Sequence, residues 1–156
     1  MKTTQRFRES PRLPAFDYTG THVYNLNTVT RGRRPLLAKP DAASVCLRAL
    51  NQACAKFSFK CLAYCFMPDH IHLLVASDGG ASAERFMRLF KRISGWHFKN
   101  RMGEHLWQIS YYDHVLRVED AIEPIALYIW NNPVRAGLVD SHIDYPYNGP
   151  AELMRT

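Results

Sequence analysis

Long hydrophobic runs are missing from this sequence: no stretch of about eighteen apolar residues occurs, which excludes an ordinary membrane-spanning helix. The opening MKTTQRFRESPRLPAFDYTG is basic and polar and lacks the apolar centre of a secretory signal, so a cytoplasmic location is expected. Cysteine is scarce, and Cys46, Cys54, Cys61 and Cys65 show none of the paired C-x-x-C spacing of a zinc knuckle. Their plain reading is reduced, buried thiols. Acidic residues are also outnumbered, 14 against 20 lysines and arginines, and the net charge of +6 suits a polyanionic partner without proving one. Repeats, low-complexity tracts and long linkers are absent. One domain over residues 1–156 is therefore expected, and its 47% hydrophobic content suffices for a core.

What is present begins with a basic arm over residues 1–18, broken by Pro11 and Pro14 and carrying Arg6, Arg8 and Arg12. THVYNLNTVT, 21–30, reads as a strand, and RGRRPLLAKP after it as a loop bearing Arg31, Arg33 and Arg34. Apolar spacing predicts a helix over 41–57, with Asp41 as its cap. Two strands follow, 59–67 and 70–77, joined at Pro68-Asp69. That turn would pair Phe66 with Ile71, Tyr64 with Leu73 and Leu62 with Val75 on one bulky face. Cys61, Ala63, Cys65, His70 and His72 would share the other, flatter face.

A helix over 81–100 gathers Phe86, Leu89, Phe90, Ile93 and Trp96 on one side, with Arg85, Arg88, Arg92 and Lys99 along an adjoining stripe. Such a stripe is usually a solvated face; beside a DNA-binding sheet it could grip phosphates. Residues 105–118 look extended, and a last helix runs into YIWNNPVRAGLV, where Pro133 disfavours helical geometry at Asn132. This order of elements predicts an α+β fold of ferredoxin-like kind, an antiparallel sheet with helices packed on one face. Residues 141–156 read as a C-terminal tail.

Two patterns could carry chemistry. In MPDHIHLLV, His70 and His72 lie two apart on a strand and so point the same way, as two ligands of one metal would. Near the end, Tyr128 and Asn132 are four apart and share a helix face. Each pattern alone has an ordinary explanation, an exposed strand edge for the first and an interfacial hydrogen bond for the second. A histidine-triad hydrolase would need a further histidine where Leu74 stands.

Taken together and in this order, MPDHIHLLV and YIWNNPVRAGLV resemble the single-tyrosine HUH transposases, and most closely the REP-associated tyrosine transposases. The resemblance spans roughly Thr21 to Val139, with Asp69 where the family commonly has Asn. It implies Tyr128 as nucleophile and His70, His72 and Asn132 as ligands of Mg²⁺ or Mn²⁺. It further implies cleavage of single-stranded DNA beside a hairpin through a 5′-phosphotyrosine link. A mixed imidazole and amide donor set suits such an ion, which would polarise the scissile phosphate. The basic arm with Arg12, together with Arg31, Arg33 and Arg34, is a candidate hairpin contact. Trp96, Trp107 and Trp130 could stack bases or simply fill the core. The palindrome-associated branch implies a monomer, nucleoid-associated when bound to DNA, while other members are dimers that exchange tyrosine helices.

Tyr111 and Tyr112 are rival nucleophiles, and as strand neighbours at most one of them could face a given site. The alternative to an enzyme is a zinc-stabilised nucleic-acid-binding module. Cys65, opposite His72 in the predicted hairpin, would supply its thiolate.

Overall fold

β1, His22–Val29, alternates its side chains as a two-sided strand should: Leu26 enters one apolar layer and Val23 the other. The computed structural model describes residues 22–109, 114–118 and 122–154. Arg12, the rest of the arm and the rival Tyr111 and Tyr112 lie outside the described residues. After β1 the chain makes a 3-10 turn at Arg31–Arg33, then α1, Pro40–Phe57. The predicted cap at Asp41 is displaced. Pro40, whose ring presets the helical φ, occupies the first turn, so the cap position falls on Lys39 and Asp41 lies inside the helix.

β2, Lys60–Phe66, and β3, His70–Ser77, form the expected hairpin, with Phe66 opposite Ile71, Tyr64 opposite Leu73 and Cys65 opposite His72. The expected face assignment fails further along. A bulge between Cys61 and Ala63 makes Cys61, not Leu62, the partner of Val75. One extra residue reverses the alternation beyond it, so Leu62 joins Ala63 and Cys65 on the histidine face while Cys61 packs on the opposite side.

α2, Ala83–Met102, starts at Ser82, whose hydroxyl accepts a 3.2 Å hydrogen bond from the Arg85 amide. It stops at Gly103, where φ of +75° favours a residue without a Cβ. β4, His114–Val118, completes the order β4-β1-β3-β2, and every pairing is antiparallel. α3, Ile122–Trp130, gives way after Asn131 to a short α4, Asn132–Arg135. Pro133 ends one helix as predicted, yet it sits in the first turn of the next, where its missing N–H costs nothing.

The stretch after Asp140 is no loose tail. It forms β5, Asn148–Gly149, on the free edge of β2, followed by α5, Ala151–Met154. Tyr145 donates a 2.8 Å hydrogen bond to the Phe66 carbonyl, and the Trp130 indole donates one of 2.8 Å to that of Gly149.

The expected α+β class with an antiparallel sheet is observed, but helices cover both faces rather than one, because β2 and β3 bury apolar side chains on each side. α1 and α2 cover Leu26, Phe66, Ile71, Leu73 and Val75 through Leu50, Phe86, Phe90 and several alanines. α3 crosses the other face, setting Ala126, Ile129 and Trp130 on Leu62, Ala63, Cys65 and Leu74. Each large apolar side chain withdrawn from water contributes about 1.5–3 kcal/mol, so the bulk of the stabilisation lies in the α1–α2 layer. The α3 face is the thinner one, and there the site stands.

Candidate active site

The site begins with strand geometry. Ile71, Leu73 and Val75 are fully buried under α1 and α2, which anchors β3 and turns His70 and His72 to the α3 face. The two rings lie edge to face, with centroids 4.9 Å apart. Each imidazole is held by its Nδ1. His72 Nδ1 is 2.6 Å from Asn27 Oδ1 on the neighbouring β1, and His70 Nδ1 is 2.6 Å from the Asp69 carboxylate.

An acceptor oxygen at Nδ1 places the proton there, which leaves the lone pair of each Nε2 available. This is how metal-binding histidines are commonly oriented by a second set of partners. Burial pushes the pKa of His72 down to about 4, helped by its neighbour His70 and by Arg135, so at neutral pH it is uncharged, as a ligand must be.

α3 places Tyr128 on the same side of the sheet. Its inner face is committed to Ala126, Ile129 and Trp130, and Tyr128 is 60% exposed. Asn132, one turn on, directs its Nδ2 to the carbonyl of Ile129 at 3.3 Å and to that of Tyr128 at 3.5 Å. Its Oδ1, an acceptor and the atom a metal would use, is not engaged in those bonds.

Sequence reasoning passed over Asn27 and Arg135. The guanidinium of Arg135 lies 3.8 Å from the centroid of the Tyr128 ring and donates a 2.8 Å hydrogen bond to the Tyr128 carbonyl. The same charge lowers the proton affinity of His72, so it is within electrostatic reach of that imidazole as well as stacked on the Tyr128 ring. Its spacing of seven from Tyr128 was the available signal, two helical turns on one face. No pattern flagged Asn27, because its link to His72 crosses 45 residues of sequence.

Other candidates are dispersed. Arg31, Arg33 and Arg34 are exposed and follow β1 directly, where Thr30 takes a 2.9 Å backbone bond to the Asp69 carbonyl, so this loop adjoins His70. Arg34 is paired with Glu104. Arg85, Arg88 and Arg92 line a groove with Lys56, Phe57 and Leu89 on the outside of the α1–α2 layer. The sheet and that layer separate Arg85 and Arg88 from the histidines, while Arg92 also borders a second cleft with Trp96 and Gln108. A helical stripe states which residues share a face but not which face of the sheet the helix will cover.

Trp107 and Trp130 are core residues, whereas Trp96, predicted on the buried side of α2, is 62% exposed. Cys65 does stand opposite His72, but its thiol is wholly buried in the apolar layer, and burial pushes its pKa up to about 12. Among the described residues, no three His, Cys, Asp or Glu side chains gather into a metal-binding group. That leaves two imidazoles and the Asn132 amide oxygen as candidate donors, without the thiolate of a structural zinc site.

The family model described as Transposase IS200 like matches residues 19–132, from before β1 to Asn132. The chain belongs to the IS200-like transposase family. A Haemophilus influenzae protein named as a REP-associated tyrosine transposase is 30% identical, and the match spans 64% of each of the two chains. A solved structure of a REP-associated tyrosine transposase bound to a REP hairpin has the same fold, with TM-score 0.62 and 22% identity. It covers 91% of this chain and 82% of its own. A transposase-family protein of Deinococcus radiodurans gives TM-score 0.55 and 20% identity over 84% of this chain and 92% of its own. The segment matched to the IS200-like family contains His70, His72, Tyr128 and Asn132, while Arg135 lies beyond it. Among the described residues, no helix is long and apolar enough to cross a membrane.

Proposed function

We propose that this chain is a metal-dependent single-stranded DNA endonuclease and strand transferase acting beside DNA hairpins, with Tyr128 as nucleophile. The observation that carries the reading is the histidine pair. Both Nδ1 atoms are tied to acceptor oxygens, so both Nε2 atoms are free on the sheet face that α3 covers, where Tyr128 is exposed. His70 and His72 Nε2 with Asn132 Oδ1 would hold Mg²⁺ or Mn²⁺. Such an ion supplies Lewis-acid polarisation of a phosphate and favours charge build-up on its oxygens.

The chain's own groups do the rest. The Tyr128 oxygen attacks phosphorus, the bond from phosphorus to the 3′ oxygen breaks, and that oxygen takes a proton to leave as a 3′-OH. The new 5′-phosphotyrosine is itself a phosphodiester, so attack by a 3′-OH reverses the step and rejoins strands without an external energy source. Arg135, stacked on the ring and bonded to the Tyr128 carbonyl, restricts where the phenol can swing and adds a positive charge beside an incoming phosphate. A hairpin partner is supported by the name of the solved relative and by the exposed Arg31 and Arg33 next to Asp69. Because α3 packs on the sheet of its own chain, tyrosine and histidines can meet within one monomer.

The test is incubation of the protein with a hairpin-bearing oligonucleotide and Mn²⁺, followed by denaturing electrophoresis. A covalent adduct is expected, abolished by chelation and by Tyr128→Phe, while Tyr128→Phe keeps its DNA affinity. An undiminished adduct in that variant would assign the nucleophile elsewhere. His70→Ala should end cleavage with little change in thermal stability; a large loss of stability would instead indicate a structural metal.

A further inference from the structure

A second feature lies at one end of α2. Trp96 is 62% exposed, although the other two tryptophans are buried at 7% and 2%, and its ring is braced edge-on by His97 at 4.8 Å. It opens onto a shallow cleft of about 440 Å³. Arg92, Lys91, His105 and Gln108 line that cleft too, and among the described residues no acidic side chain does. Glu104, the acid next to it in sequence, is engaged by Arg34.

The floor is set by Gly95 and by Trp107, whose indole N–H donates a 2.9 Å bond to the buried Ser94 hydroxyl. This bond fixes the wall behind Trp96. Gln108 accepts a 2.8 Å bond from the Gly32 amide at its side-chain oxygen, which leaves its amide N–H groups to donate.

An aromatic plane, flanking cations and a side-chain amide match the parts of an unpaired nucleotide: a π-face, a phosphate and a hydrogen-bonding edge. We propose that this cleft binds an unpaired base of single-stranded nucleic acid, stacked on Trp96, with Arg92 beside its phosphate. The site is connected to the histidines. The Gln108 amide bonds the Val29 carbonyl, and Val29 pairs with His70, so the cleft begins two strand spacings, about 10 Å, from the His70 backbone. One strand of a few nucleotides can therefore touch both, passing the exposed Arg31. The proposal rests on the reading of the chain as a single-stranded DNA enzyme, but it concerns a place that reading does not use.

Fluorescence and binding titrations with a short unstructured oligonucleotide test it without requiring cleavage. Trp96 supplies the solvent-facing emission, so binding should quench the parent protein, and the quench should vanish in Trp96→Phe. Trp96→Ala should weaken affinity about tenfold, in keeping with loss of one base–aromatic stack, while Trp96→Phe retains most of it. Affinity for a blunt duplex and the thermal midpoint should be unchanged in both. Equal affinity of parent and Trp96→Ala for the oligonucleotide, or an equal loss for duplex, overturns the cleft. Quenching that survives while Tyr128 forms no adduct would keep the cleft and defeat the transposase reading. A Tyr128 adduct with an indifferent Trp96→Ala would do the reverse.

Discussion

Asn27→Ala is the substitution that probes the site most directly, because the Asn27 side chain bonds His72 Nδ1 and so reaches the metal site through that ring. In the folded chain its Oδ1 sits 2.6 Å from His72 Nδ1 and fixes both ring rotation and tautomer. Its removal costs the fold one hydrogen bond, about 0.5–1.5 kcal/mol. The larger effect falls on metal use. Without the acceptor, His72 can place its proton on Nε2 and turn away from the pair, and loss of such a partner ordinarily lowers metal affinity or activity about 10–100-fold.

The Mn²⁺ concentration for half-maximal cleavage of a hairpin oligonucleotide should therefore rise by that factor, with oligonucleotide affinity in chelator unchanged. Asn27→Asp should act oppositely, since a carboxylate at Nδ1 raises ligand basicity. If Asn27→Ala shows the parent's metal dependence, His72 is not a ligand and the coordination argument collapses.

Arg135→Ala removes the cation from the Tyr128 ring and a bond to its carbonyl; a five- to tenfold drop in the cleavage rate, about 1–1.4 kcal/mol, is expected. Arg135→Lys should recover only part of it, and a full-rate Arg135→Ala in single-turnover kinetics would remove the residue from the mechanism. Gly149→Ala should destabilise the fold, because a Cβ there would run into the Tyr64 ring where β5 pairs with β2; an unaltered thermal midpoint would contradict that packing. Ser94→Ala strands the buried Trp107 N–H and should cost about 1–3 kcal/mol in urea unfolding.

In chelator, stability should hold above pH 6.5, the ordinary histidine value, and fall by up to roughly 3 kcal/mol as the pH drops towards 4. Over that range the unfolded chain binds a proton at His72 that burial denies the folded one. A flat profile across the interval in pH-dependent unfolding would mean that His72 is not protected.

Much of this was legible because short-range rules decide it. Alternation on a strand put His70 and His72 on one face, and the i, i+4 step brought Asn132 under Tyr128. The strand and helix order pointed to the ferredoxin-like sheet. The hairpin register near Pro68-Asp69 was legible for the same reason. Its far end was not, since the bulge at Leu62 exchanges a regular ladder for better filling of the α3 face, and only the packed layers show that gain.

The sequence by itself determined the donor types, their local spacing and the family pattern in which they occur. Tertiary structure alone decided that Asn27 and Asp69 would hold the imidazoles at Nδ1, that Arg135 would lie on the Tyr128 ring, and that Arg85 and Arg88 would face away from them. It also decided which tryptophan stays in water. The reason is physical: spacing along a chain fixes direction within one element, whereas contacts between elements depend on which apolar faces meet, a choice made jointly by the whole core.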